Sequence, residues 1–171
     1  MIAVLDYGIG NLRSAEKALQ HLGAPARLTC EPEEAAAAGA VVLPGVGAFG
    51  RCMEALTDSG LLGVVREAVA AGKPFLGICV GMQMLFEGSE EAPGVRGIGL
   101  LAGTVRRLPA GLRTPHMGWN DLEVRNGSKL FAGLPERPYL YFVHSYVPVP
   151  DDPSVVAATT DYGGPIVAAV E

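Results

Sequence analysis

Positive charge is scarce in this sequence: 13 lysines and arginines stand against 18 aspartates and glutamates, for a net charge of −5. A nucleic-acid surface needs a basic stripe to neutralise phosphates, so that class of partner is excluded. No apolar run reaches the roughly 18 residues that a membrane-spanning helix requires, and no membrane partner is expected. The N-terminal Met1-Ile2-Ala3-Val4-Leu5-Asp6 lacks both the basic flank and the small-residue cleavage site of a secretory signal. It reads as a first β-strand, and the expected location is cytoplasmic. Cysteines are few and scattered: Cys30, Cys52 and Cys79 suit neither a disulfide framework nor a zinc site. Internal repeats, low-complexity tracts and a dividing linker are all absent, so residues 1–171 read as one domain. What is plentiful is apolar side chain, 49% of residues against 18% charged, enough for a real core.

The first half alternates short apolar runs with helical patterns. Residues 2–5, 26–28, 41–43 and 75–78 read as strands. Residues 11–21, 33–38, 49–56 and 61–71 read as helices, the first with Asn11 at its N-cap and Gly23 after its end. Another helix is expected to open over residues 82–86. Strand–helix alternation of this kind predicts an α/β fold, a mostly parallel sheet covered on both faces. After Gly88 the texture changes. Residues 101–108, 122–125, 139–143, 155–160 and 166–170 read as strands separated by Gly, Pro, Asn and Asp, an antiparallel β portion packed against the first sheet.

Gly77-Ile78-Cys79-Val80-Gly81 has a nucleophile flanked at one remove by two glycines, between the apolar strand ending at Ile78 and the helix opening at Met82. A strand–turn–helix elbow of this form holds the nucleophile in a strained conformation at the carboxyl edge of the sheet, where open α/β folds bind ligands. The adjoining helix N-terminus favours thiolate over thiol. The plainer alternative is a structural cysteine that merely packs. Cys30 and Cys52 lack such a context and are expected to be packing residues. Gln83 and Glu87 follow Cys79 by four and eight residues, on one face of the expected helix. They could hold the polar ends of an amino-acid substrate or form an ordinary solvated stripe. Pro44-Gly45-Val46-Gly47-Ala48-Phe49-Gly50 could aim backbone N–H groups at an oxyanion, or be only a tight turn.

Together, Leu43-Pro44-Gly45-Val46-Gly47-Ala48-Phe49 and Gly77-Ile78-Cys79-Val80-Gly81-Met82-Gln83 resemble the class I (triad) glutamine amidotransferases. Three further blocks narrow the resemblance to the glutaminase subunits of imidazole glycerol phosphate synthase. They are Asp6-Tyr7-Gly8-Ile9-Gly10-Asn11-Leu12-Arg13-Ser14, Met117-Gly118-Trp119-Asn120 and Tyr141-Phe142-Val143-His144-Ser145-Tyr146. The resemblance implies a flavodoxin-like class I amidotransferase fold. It also implies Cys79 as nucleophile toward L-glutamine, with oxyanion donors from Val80 and, after a peptide reorientation, from Val46 or Gly47. Gly45, Gln83, Glu87, His144, Ser145 and Tyr146 match positions near the bound glutamine. Ammonia would pass to a (β/α)₈-barrel cyclase subunit, which Asn11, Trp119 and Asn120 would meet. No cofactor or metal is implied. Trp119, the only tryptophan, lies between Gly118 and Asn120 and reads as a loop rim suited to an interface.

The family's general base and its orienting carboxylate come from a His-Pro-Glu segment after a late strand, and the three histidines here are His21, His116 and His144. His21 reads as surface or packing, and His144 matches the substrate-side strand rather than the base. The expectation is that the 171-residue chain is truncated at its C-terminus and inactive. Three competing readings remain. A different cysteine hydrolase on a similar fold would not explain Met117-Gly118-Trp119-Asn120. Anthranilate- or aminodeoxychorismate-type amidotransferases are disfavoured, since they carry Gly-Pro-Gly in the loop and His-Gln after the elbow. A non-catalytic docking partner on the same scaffold is favoured by the missing base and disfavoured by the intact elbow.

Overall fold

The four apolar runs of the first hundred residues become β1 (Ile2–Leu5), β2 (Ala26–Thr29), β3 (Ala40–Gly45) and β4 (Phe75–Cys79). They pair in parallel in the order β2-β1-β3-β4. Parallel neighbours need crossover connections, and these are supplied by α1 (Leu12–His21), α2 (Pro32–Ala37), α3 (Phe49–Asp58) and α4 (Leu61–Ala70). The computed structural model describes all of residues 1–171, which divide into two compact units, Met1–Leu100 and Leu101–Glu171. The change of texture after Gly88 precedes that division by 12 residues.

Strand periodicity sorts the first unit's core onto two faces. Ala3, Leu5, Val41 and Leu43 point to one face and pack with α2, α3 and α4, whereas Val4 and Val42 point to the other, against Ala15 and Leu19 of α1. The helices on the larger face show why they form. In α3 the buried residues are Phe49, Cys52, Met53 and Leu56, and in α4 they are Leu61, Val64, Val65 and Ala68. Both sets fall at i, i+3, i+4 and i+7, one apolar stripe per helix. Burying each large side chain contributes about 1.5–3 kcal/mol. Gly60, at φ +74, ends α3 and turns the chain into α4 in a conformation that side chains resist.

Leu101–Glu171 is all β apart from a single 3₁₀ turn at Pro153–Val155. Its strands are β5 (Gly103–Arg107), β6 (His116–Asp121), β7 (Glu123–Val124), β8 (Tyr139–His144), β9 (Tyr146–Pro150), β10 (Val156–Asp161) and β11 (Pro165–Val170). All pairings are antiparallel, and they form three sheets of their own rather than extending the parallel one: β11-β10-β7, β5-β9 and β6-β8. Two strands, β6 and β9, were not legible in the sequence. Residues 116–121 contain Gly and Asn, poor strand formers, and β9 carries Pro148. The strand expected at 122–125 shrinks to Glu123–Val124.

Beyond β4 the chain forms α5 (Val80–Gln83), a single helical turn, where a longer helix was expected. Gly81 in it packs directly on β3: a Cβ there would lie 1.9 Å from the Leu43 carbonyl oxygen. Gly81→Ala should therefore unfold or destabilise the protein by more than ~3 kcal/mol, beyond the usual cost of overpacking. Gly63→Ala, inside α4 with nothing within 4 Å of the added methyl, should stabilise by about 0.5–1 kcal/mol. Urea denaturation of both variants checks the pair.

Candidate active site

Cys79 is the last residue of β4 and the only non-glycine residue with positive φ, at φ 56 and ψ −117. Such a conformation costs on the order of 1–3 kcal/mol and persists only where the surroundings impose it. The imposing contacts are the flanking glycines. A Cβ on Gly77 would come within 2.9 Å of the Gly81 carbonyl and the Met82 backbone, and one on Gly81 would strike Leu43. The expected elbow is thus present, with its small residues where strand and helix approach.

Cys79 is exposed, but the atoms around it still desolvate a thiolate and push the thiol above its ordinary value; a hydrogen bond from the Val80 N–H pulls the other way. The helix N-terminus acts in the expected direction through the Val80 N–H, but α5 is a single turn and burial outweighs it.

Register places the glycine loop beside the elbow, because Gly45 is paired with Cys79 across β3 and β4. Gly45 is buried, and its Cα faces the elbow: a Cβ on it would lie 2.6 Å from the Gly81 nitrogen. Val46, Gly47 and Ala48 follow on the surface, with Gly47 at φ +83. The structure thus gathers Gly45, Val46, Gly47, Cys79 and Val80 at one edge of the parallel sheet. Gln83 is also held there, buried at 7% exposure at the end of α5. Glu87 is not on that helix. The turn stops at Gln83, so the shared helical face expected for Gln83 and Glu87 does not exist, and Glu87 lies exposed beyond it.

The other two thiols differ. Cys52 is fully buried in α3, as expected, whereas Cys30 is exposed after β2 and does not pack. A position just past a short edge strand gave no periodicity from which burial could be read.

In Leu101–Glu171, His144 ends β8, Tyr146 begins β9 and Ser145 joins them, its carbonyl accepting from Leu108 N–H at 2.9 Å. His144 pairs across the ladder with His116. The His116 Nδ1 and His144 Nε2 atoms are 2.9 Å apart, and His144 Nδ1 lies 3.1 Å from the Tyr146 carbonyl. A carbonyl only accepts, so His144 carries its proton on Nδ1, and His116 then donates from Nδ1 to His144 Nε2. His116 is buried and stacked on Phe142 and Tyr162, with ring centroids 4.7 and 4.0 Å away. His21, by contrast, is exposed at the end of α1.

Trp119 is not in a loop. It lies within β6, and Gly118, at φ +141, is accommodated inside the strand. Cross-strand pairing aligns Met117 with Val143 and Trp119 with Tyr141, and places Tyr139 opposite Asp121. Alternation puts Met117, Trp119, Tyr139, Tyr141 and Val143 on one exposed face, with Trp119 at 71% exposure and edge-on to Tyr141 at 5.6 Å. The sequence did not single out Met117, Tyr139, Tyr141 and Val143 for this face. Their period-2 pattern was visible, but it reads equally well as the inner face of a core strand. Asn120 points the other way, donating to the Asp161 carbonyl at 2.8 Å while its Oδ1 accepts from Asp121 N–H. Asn11 sits at the N-cap of α1, exposed, and its side chain makes no capping bond.

Burial lowers the affinity of both His116 and His144 for protons, and His144 must keep Nε2 unprotonated to accept from His116. The unfolded chain takes up protons as pH falls through the ordinary histidine range, while the folded chain resists. Their contribution to stability is therefore complete above that range and lost as pH falls through it toward the depressed values. The urea midpoint should drop between about pH 7.5 and about pH 5.5, and drop less in His144→Leu. Equal pH slopes in the two proteins would contradict the pairing.

The glutamine amidotransferase class-I family model matches residues 3–171. The HisH subunit of imidazole glycerol phosphate synthase from Moorella thermoacetica is 51% identical over 162 residues, covering 95% of this chain and 77% of that protein. Its counterpart in Methanothermobacter thermautotrophicus is 50% identical over 171 residues, 100% of this chain and 84% of that protein. Among solved structures, a glutamine amidotransferase superposes with a TM-score of 0.72 at 23% identity, covering 95% of this chain and 85% of that one. The PurLQS structure from Thermotoga maritima superposes with a TM-score of 0.69 at 21% identity, covering 94% and 75%. These distant structures share the fold. With a strained cysteine at a strand–helix elbow and about half of its residues identical across nearly its whole length, the chain belongs to the class I glutamine amidotransferase family, in the branch of the HisH subunits of imidazole glycerol phosphate synthase.

Proposed function

We propose that this chain hydrolyses L-glutamine as the glutaminase subunit of a cytoplasmic, heterodimeric imidazole glycerol phosphate synthase, and delivers the ammonia to a (β/α)₈-barrel cyclase. The observation that carries the reading is the strained Cys79 held in register with Gly45 of the glycine loop. No helix is long and apolar enough to cross a membrane.

The chemistry follows from the elbow. The Cys79 sulfur adds to the side-chain amide carbon of glutamine, and the carbonyl oxygen takes the negative charge. Val80 N–H and an N–H from Val46 or Gly47 would receive that oxyanion. The C–N bond then breaks, the nitrogen leaves as ammonia carrying the proton that the Cys79 thiol gave up, and a γ-glutamyl thioester remains. Water adds to the thioester, the C–S bond breaks, glutamate is released and the water's other proton restores the thiol. The substrate-contact roles of Gly45, Gln83, His144, Ser145 and Tyr146 rest on the resemblance. Glu87 keeps its role on resemblance alone, without the helical-face argument.

Proton transfer is the weak point of residues 1–171 taken alone. The Cys79 thiol sits above its ordinary value, and His116 and His144 are committed to each other and to the Tyr146 carbonyl. Glutamate release by this protein with its cyclase should be abolished by Cys79→Ala. Glutamate release that persists in Cys79→Ala would overturn the nucleophile.

The cyclase contact is assigned to the aromatic face of β6 and β8 around Trp119, with Asn11 on α1. An exposed Trp–Tyr pair flanked by Met117 and Val143 is the composition of an interface hot spot. The amide of Asn120 is engaged within its own unit and supports Trp119 more than it reaches outward. Trp119→Ala should weaken cyclase binding by roughly 2 kcal/mol or more, while Asn11→Ala costs less. Calorimetric titration distinguishes them, and unchanged affinity in Trp119→Ala would remove the face from the interface.

A further inference from the structure

The glycine loop is held from beneath. The Tyr7 hydroxyl, buried just after β1, donates to the Pro44 carbonyl. The Cys52 thiol, fully buried in α3, lies 3.3 Å from the Val46 carbonyl and donates to it. Further along, the Ala48 carbonyl accepts from Cys52 N–H at 3.1 Å, and Phe49 N–H donates to the Glu91 carboxylate at 2.8 Å. Alternate carbonyls, those of Pro44, Val46 and Ala48, are thus drawn inward.

A trans peptide is planar, with C=O and N–H pointing in opposite directions. With the Val46 oxygen drawn toward buried Cys52, the N–H of Gly47 points outward, at the exposed side of the loop. The intervening Gly45–Val46 peptide is bracketed by a pin on each neighbour but is held by neither of these two side chains. Tyr7 also limits what can stand at Gly45, since a Cβ there would lie 3.1 Å from its hydroxyl.

We propose that Tyr7 and Cys52 are positioning residues for glutamine hydrolysis: they fix the carbonyls on either side of the Gly45–Val46 peptide, and so set which loop N–H groups face the oxyanion formed at Cys79. This rests on the glutaminase reading of Cys79. Burial keeps both donors protonated, since it raises the Tyr7 hydroxyl and the Cys52 thiol above their ordinary values. Neither group touches the reacting atoms. Their effect runs through the backbone, where a displacement of about 1 Å costs up to roughly 100-fold in rate.

The test uses the protein in complex with its cyclase and compares Tyr7→Phe, Cys52→Ala and Cys52→Ser with the unmodified protein. Glutamine turnover is read as kcat and KM, and Cys79 is separately titrated with iodoacetamide, which alkylates the sulfur without forming an oxyanion. Tyr7→Phe and Cys52→Ala should lower kcat by about 10- to 100-fold with KM within about 2-fold, less than or comparable to loss of an oxyanion donor. Cys79 alkylation should stay at the unmodified rate, and Cys52→Ser, which keeps a donor, should recover most of kcat. Folded Tyr7→Phe and Cys52→Ala variants with unchanged kcat would overturn the proposal, and so would alkylation that falls in step with turnover. An unmodified complex that alkylates at Cys79 but hydrolyses no glutamine would overturn the glutaminase reading itself, a result distinct from either.

Discussion

The site depends on one steric contact, the seating of Gly81 on the carbonyl of Leu43. It brings the turn after β4 onto the end of β3 and leaves no room for a side chain. With the turn pressed there, β4 must change direction within one residue, and Cys79 takes the left-handed conformation that results. The same contact brings Gly45 over the Gly81 nitrogen, so loop and elbow share a wall. Nucleophile strain and oxyanion geometry are therefore two outcomes of a single close approach, enforced by the packed stripes of α3 and α4 on the same sheet.

Below that contact lies a small polar layer in an otherwise apolar core. Tyr7 and Cys52 occupy it, and each spends its donor on a loop carbonyl. The sheet edge is thus rigid where the carbonyls are tied and adjustable where a peptide lies between ties. A loop that must reorient during catalysis needs both properties.

Legibility in the sequence followed the range of the interactions. The parallel half was readable because its strands are short apolar runs and its helices repeat i, i+3, i+4, i+7 stripes, both local signals. The elbow was readable because two glycines at fixed spacing mark a close approach. The length of α5 was not, since its end at Gln83 is set by packing rather than propensity, and the pairing of Gln83 with Glu87 failed with it. Trp119 was misplaced in a loop because Gly118 and Asn120 argue against a strand, yet the ladder to β8 overrides them. Tyr7 and Cys52 carry no local mark at all. They are separated by 45 positions in the chain, and only the fold places both beneath Pro44 and Val46.

The two-stranded β6-β8 ribbon bears on how the chain behaves by itself. Met117, Trp119, Tyr139, Tyr141 and Val143 present a continuous apolar strip to water on strands that pair only with each other. Flat, apolar ribbons with open edges invite strand addition and self-association. The net charge of −5 opposes this only weakly at ionic strengths where the Debye length is about 8 Å. Colloidal stability of the isolated chain is therefore governed by this ribbon, and co-production with a partner that covers it is the physical remedy for aggregation.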